Sequence, residues 1–242
     1  MKLFIDVGNT AIKFACDKEN HFQFIGRFFT RELSDEKLDN LLSTLDEISE
    51  VDVASVVPNV NQKIEQYFNK LNTKVRFIKI DDYPNLKIEI DNKNELGMDL
   101  YCDLVGAFAK YGPATLVVDL GTASKILLID KTGLFNSCVI VPGLEMSKEM
   151  LSKGTALLPN AGEKEIKKIS EARNTVDVIN SSVYFGHIEM INGLLDRYEK
   201  EIGYSCKHVF TGGNATRMMK HISKEYILDE NLCLEGIYEI VK

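Results

Sequence analysis

LFIDVGNTAIKFA, residues 3–15, returns later in the chain as LVVDLGTASKILLI, residues 116–129. Both stretches read as an apolar run, then Asp, any residue, Gly, and Asn or Thr. Leu3, Phe4 and Ile5 lead into Asp6, as Leu116, Val117 and Val118 lead into Asp119. Such a run has the pattern of a buried strand that delivers a carboxylate to a sheet edge. Asp is a hard oxygen ligand suited to Mg²⁺ or K⁺, and Gly8 and Gly121 let a turn bring backbone N–H groups close to phosphate oxygens. Thr10 and Thr122 add hydroxyl donors. Asp and Gly are also the ordinary residues of turns between strands, so one copy alone would say little. Two copies in one register point to an internal duplication and to phosphate handling.

The surroundings of each copy repeat as well. Residues 3–7, 11–16 and 22–28 read as three consecutive strands, with a polar turn at 18–20. Ser34 is of N-cap type ahead of Leu38, Leu41, Leu42 and Leu45, which are spaced for one helical face. Residues 51–58 form a strand pattern closed by proline. Asn59 or Asn61 can cap a helix to about residue 71, and 74–80 return as a strand. A helix over 97–110 ends at Gly112-Pro113. Three strand patterns come again, at 115–119, 124–130 and 134–141, before a helix that starts near Pro142-Gly143. A long helix over 175–202 carries Ile179, Val183, Ile188, Ile191 and Leu195 on an apolar face. The strand at 208–211 then runs into Gly212-Gly213 and a further helix. The expectation is an α/β protein of two duplicated lobes, residues 1–114 and 115–242. Its ligand should sit outside the strand ends, in a cleft between the two Asp-x-Gly turns.

The chain has 242 residues, so each half is long enough to bury a core. With 45% hydrophobic and 27% charged residues, the composition is that of a globular protein. The net charge of −7 argues against a nucleic-acid partner, which calls for clustered Lys and Arg. An anionic nucleotide would then be held locally, by metal ions and backbone amides. Cys16, Cys102, Cys138, Cys206 and Cys233 are scattered, odd in number and free of CxxC spacing, as in a reduced cytoplasmic protein. No charged leader precedes a long apolar stretch and no apolar run is long enough to span a bilayer, so neither export nor a membrane span is expected.

The chain resembles the type III pantothenate kinases of the acetate and sugar kinase and actin superfamily, whose members bind ATP between two duplicated ribonuclease-H-like lobes. The resemblance rests on DVGNT at 6–10, ASVVP at 54–58, ELGMD at 95–99 and VDLGTA at 118–123. VPG at 141–143, GTALLP at 154–159, NT at 174–175 and FTGGNA at 210–215 extend it over nearly the whole chain. It implies ATP-dependent phosphorylation of pantothenate, the first step of coenzyme A synthesis. Asp6, Val7, Gly8, Asn9, Thr10, Ala11, Ile12 and Lys13 would cradle the nucleotide phosphates, with Asp6 helping to hold Mg²⁺. Thr122 would contact phosphate from the second copy, and Asp119 would bind a monovalent cation, K⁺ or NH₄⁺. Gly97, Met98, Asp99 and Leu100 would line the pantothenate site, with Asp99 as general base. Thr175 would reach substrate across the interface of a homodimer.

The chemistry agrees on its own terms. An acceptor hydroxyl needs a carboxylate to take its proton and aim it at the γ-phosphate, while cations offset the charge on the phosphate oxygens. Asp99 has the right type, although it also reads as a carboxylate that favours the first turn of a helix. Several residues depart from the family pattern. Leu100 stands where these kinases usually carry Arg, which removes a bidentate cation. Ser124, Lys125 and Leu127 stand where two threonines and an Asp are usual, and Ser137-Cys138 replaces a glycine pair. Two readings are open. One is an active kinase in which Arg173, Lys125 or a lysine from the partner subunit supplies the missing cation. The other is a weakly active or inactive kinase-like binding or regulatory protein of accessory-factor type.

Overall fold

A computed structural model describes residues 1–162, 164 and 166–242. The first copy of the repeat folds as a hairpin of β1 (Lys2–Val7) and β2 (Ala11–Lys18), with Leu3 opposite Cys16 and Asp6 opposite Lys13. β3 (His21–Phe29) extends the meander. Ser34 caps α1 (Asp35–Leu42) as its type predicts, its side chain accepting from the Lys37 N–H. β4 (Glu50–Ser55) runs parallel to β1. α2 (Pro58–Lys70) starts earlier than an asparagine cap would place it. Pro58 does not close the strand but opens the helix, where its missing N–H is not needed. Asn61 instead accepts from the Ser55 hydroxyl at 2.5 Å. β5 (Lys74–Phe77) is parallel to β4 and completes a sheet of order β3-β2-β1-β4-β5.

After β6 (Lys87–Ile88) and α3 (Met98–Tyr111) come β7 (Thr115–Leu120), β8 (Ala123–Ile129) and β9 (Leu134–Pro142). α4 (Leu144–Gly154), α5 (Thr175–Ile202), β10 (Lys207–Thr211), α6 (Ala215–Met218), β11 (Ile227–Leu228) and α7 (Leu232–Val241) finish the chain. The second sheet has the order β11-β10-β7-β8-β9-β6. From β9 through β11 it repeats the first sheet strand for strand, with β6 added at the edge. The repeat quoted from the sequence is thus a repeat of topology.

The chain forms two compact units. Unit 1 comprises Met1–Thr115, Ile129–Ser137 and Asn231–Lys242, and unit 2 comprises Leu116–Leu128 and Cys138–Glu230. In unit 1, alternation along β1 sends Leu3, Ile5 and Val7 into a core with Phe14, Leu38, Ile64 and Phe68. Phe4 and Asp6 therefore face the other side of the sheet. There the Phe4 ring meets Tyr238 of α7 edge-on, with centroids 5.7 Å apart. α7 lies so close to α3 that a Cβ on Gly106 would stand 2.5 Å from the Leu232 carbonyl oxygen. In unit 2, Leu116, Val118, Leu120, Ile126 and Leu128 pack on Tyr184, Ile188, Ile191 and Leu195 of α5. Among the described residues, no helix is long and apolar enough to cross a membrane.

Candidate functional site

In unit 1 the site is built at the carboxyl ends of β1 and β4. The Val7 carbonyl accepts the Val56 N–H at 3.1 Å, which holds the two strand ends side by side. The turn beyond β1 is tied down on both sides. Gly8 N–H donates to the Ala11 carbonyl at 3.0 Å, the Thr30 N–H donates to the Thr10 carbonyl at 3.0 Å, and the Thr30 hydroxyl donates to the Gly8 carbonyl at 2.6 Å. Asn9 and Thr10 stand exposed at its tip. Asp6, only 8% exposed, lies just below it, with Lys13 as its cross-strand partner in register.

The N-terminus of α3 arrives at the same sheet end. A Cβ on Gly97 would stand 3.5 Å from Val56 Cγ1 and 2.5 Å from Asp99 Oδ1. Only glycine lets the carboxylate of Asp99 fold back over the start of the helix, where Oδ1 accepts the Leu100 N–H at 2.9 Å. The positive end of the helix favours a negative group there. Asp99 thus has its helix-terminal role and still remains partly accessible. Burial pushes the Cys102 thiol up, and the negative charges of Asp6, Asp103 and Asp99 push it further, against a hydrogen bond from Cys233. Three carboxylates therefore act on one buried thiol. Asp103 is absent from the sequence reading; its signal was an acid one turn beyond Asp99, on the same helix face. Leu100, the position where a cation was expected, is 7% exposed and points into the core.

Unit 2 holds the second copy. Asp119 on β7 is 8% exposed, and its Oδ2 accepts from Lys125 Nζ at 2.8 Å. Gly121 N–H donates to the Ala123 carbonyl at 3.2 Å, matching the Gly8 bond of the first copy. Two further segments wall this turn. Gly143, at the N-terminus of α4, donates to the Thr122 carbonyl at 3.1 Å, and a Cβ there would stand 2.6 Å from the Gly121 carbonyl oxygen. Asn214 N–H donates to the Leu120 carbonyl at 2.9 Å and brings Gly212, at φ +90°, against Asp119. Thr122 is exposed at the tip. The altered residues on β8 divide by face. Ser124 points to α5, where its hydroxyl bonds His187 Nε2 at 2.8 Å, and Leu127 is buried. Lys125, one candidate for the missing cation, is already engaged by Asp119.

Thr175 is the first residue of α5 and is exposed, as is Arg173. Asn174 caps the helix, its side chain accepting the Asp177 N–H at 3.0 Å. Among the described residues, no group of three or more His, Cys, Asp or Glu side chains could hold a metal. The buried strand-end carboxylate of Asp6 is the kind of single ligand with which Mg²⁺, keeping most of its waters, is held beside substrate phosphates.

A family model for type III pantothenate kinases matches residues 2–197. The chain is 32% identical to a type III pantothenate kinase of Acholeplasma laidlawii, over 100% of this chain and 98% of that one. It is 30% identical to a type III pantothenate kinase of Persephonella marina, over 99% of this chain and 98% of that one. Among solved structures, a putative 2-dehydro-3-deoxygalactonokinase from Sinorhizobium meliloti superposes with a TM-score of 0.59 at 11% identity, covering 99% of this chain and 98% of that one. The ADPNP-bound activator of 2-hydroxyisocaproyl-CoA dehydratase from Clostridium difficile gives 0.53 at 15% identity, covering 99% and 94%. These likenesses show the fold of actin-like ATPases and sugar kinases, as the sequence led us to expect.

Proposed function

The chain belongs to the type III pantothenate kinase family, and from that premise we propose which of its residues perform the ATP-dependent phosphorylation of pantothenate. That reaction, the first step of coenzyme A synthesis, is its activity. The observation that carries our assignment is the meeting of Gly97 and Val56, which sets Asp99 at the sheet end where the turn after Asp6 emerges. Asp99 takes the proton of the pantothenate hydroxyl as it attacks, a role that requires a carboxylate within hydrogen-bond reach of that hydroxyl. Gly97 and Met98 shape the substrate's approach beside Leu100. Mg²⁺-ATP supplies the phosphoryl group and the cation that offsets its charge.

Val7 through Lys13 hold the phosphates, through the turn amides, the Thr10 hydroxyl and the Lys13 ammonium. Asp6 would hold Mg²⁺. In unit 2, Thr122 contacts phosphate from its exposed tip, and the Asp119 carboxylate pairs with a monovalent cation. With Leu100 turned into the core, the exposed Arg173 is our choice for the cation that meets the substrate's carboxylate. We further propose a homodimer in which Thr175 reaches the partner's substrate. Met146, Met150 and Leu151 on α4 and Val178 on α5, the helix that Thr175 opens, expose apolar side chains on two helices in contact, which supports an interface on them. The five cysteines are free, which supports a reducing, cytoplasmic setting.

Purified protein incubated with Mg²⁺-ATP and pantothenate should form phosphopantothenate. Asp99→Asn should form about 10²- to 10⁴-fold less per unit time, with unchanged affinity for a non-hydrolysable ATP analogue. Equal rates in the two proteins would remove Asp99 from the role of base.

A further inference from the structure

We propose that the monovalent cation at Asp119 is the chain's own Lys125, so that nucleotide binding and phosphoryl transfer need no added K⁺ or ammonium. The inference rests on the reading of Asp119 given above and concerns only what fills that position. Lys125 Nζ stands 2.8 Å from Asp119 Oδ2, and the two side chains are 16% and 12% exposed. The carboxylate is thus neutralised within the fold by an ammonium on the adjacent strand.

Its other oxygen stands close against glycine backbone: a Cβ on Gly212 would fall 2.4 Å from Oδ1, and one on Gly121 would stand 3.4 Å from it. A free cation would have to displace Lys125 or enter beside it, and a like charge at such close range in a partly buried site repels it. The carboxylate and its surroundings therefore do not fit a free monovalent ion. A tethered ammonium has the charge of K⁺ and donor hydrogens that K⁺ lacks.

The internal repeat gives Lys125 a counterpart. It lies two residues beyond Ala123, the start of β8, just as Lys13 lies two residues beyond Ala11, the start of β2. Lys13 is in register opposite Asp6. Residues directly opposite on antiparallel strands share a face, so each copy sets a lysine beside its strand-end Asp. The departure from the family pattern at 125 restores in the second half the pairing already present in the first.

The test compares wild type, Lys125→Met and Lys125→Gln in buffers whose cation is tetramethylammonium, Na⁺, K⁺ or NH₄⁺. Pantothenate phosphorylation and calorimetric binding of a non-hydrolysable Mg²⁺-ATP analogue are read in each, with circular dichroism to confirm folding. Wild type should respond to none of the cations in either assay. The variants should bind the analogue about tenfold or more weakly in tetramethylammonium, and K⁺ or NH₄⁺ should restore binding. Stimulation of wild-type binding or turnover by K⁺ or NH₄⁺ would overturn the proposal, as would folded variants that bind like wild type in every buffer. If wild type forms no phosphopantothenate in any buffer, the assignment of the reaction fails, and the binding measurements still decide the role of Lys125.

Discussion

Asp119 Oδ1 occupies the space that a side chain on Gly212 would need. Gly212 also has φ +90°, which an L side chain rarely adopts. Its neighbour Gly213 has open space around its Cβ position and no positive φ. Gly212→Ala should therefore cost about 1–3 kcal/mol of stability and weaken binding of an ATP analogue, because the carboxylate and the Leu120 backbone must both shift. Gly213→Ala should change neither. Denaturant unfolding and calorimetry on the two variants separate a steric demand at 212 from a general need for flexibility in the Gly-Gly pair; equal effects would contradict it.

Gly97 offers a test of position rather than of folding. Its φ of −61° suits any residue, so alanine brings no backbone strain. The added methyl would stand 2.5 Å from Asp99 Oδ1 and must push that carboxylate aside. Displacement of a catalytic group by about 1 Å can cost about 10²-fold in rate. Gly97→Ala should lower kcat by that order, with melting temperature and nucleotide affinity close to wild type. A normal kcat would mean that the carboxylate does not work from the place it holds here.

The docking of the last helix gives a third contrast. A Cβ on Gly236 of α7 would run into the Cys102 carbonyl of α3, and the approach is backbone to backbone, so no side chain can rotate away. Gly236→Ala should destabilise by about 1–3 kcal/mol or more. Gly193 lies inside α5 with open space at its Cβ position, so Gly193→Ala should add about 0.5–1 kcal/mol through helix propensity alone. Chemical denaturation of both variants checks the pair.

The same residues mark how far the sequence could be read. The two copies of apolar run, Asp and Gly were legible because each signal is local: period two in the strands, a turn residue after Asp, a capping serine at 34. Pro58 misled because proline ends a strand pattern yet is also favoured at the first position of a helix, and only the backbone path beyond it separates the two. β6 and β11, at two residues each, are too short to carry a period. Gly236 counts against a helix on propensity, yet it is what lets α7 approach α3. In the candidate site, Asp6, Asp99 and Asp119 were singled out by their motifs. The walls around Asp119, supplied by Gly143, Gly212 and Asn214, come from segments far along the chain, and the pairing of Lys125 with Asp119 depends on strand register. Neither can be read from spacing alone.

Glu199 on α5 supplies a prediction about pH. Its carboxylate accepts the Cys206 N–H at 3.0 Å and the Lys224 ammonium at 3.2 Å, and it lies 3.2 Å from His208 Nε2. Burial by itself would push its pKa up, but those hydrogen bonds and the charges of His208 and Lys224 hold it below the ordinary value of 4.5. Asp196, which also binds Lys224 at 2.5 Å, is the opposing carboxylate. A depressed carboxylate pKa stabilises the fold above the ordinary value, and that contribution is lost as the pH falls through the lowered one. Glu199→Gln should therefore cost about 1–3 kcal/mol at neutral pH, since a charged hydrogen-bond acceptor is removed while its donors remain. The gap between variant and wild type should close as the pH falls below the ordinary value. Asp130, held low by bonds from Thr132 and Leu134 despite some burial, keeps part of the acid slope in both proteins. Thermal melts across the acid range read the gap directly, and a gap that stayed constant with pH would refute the assignment of that stability to the ionised Glu199.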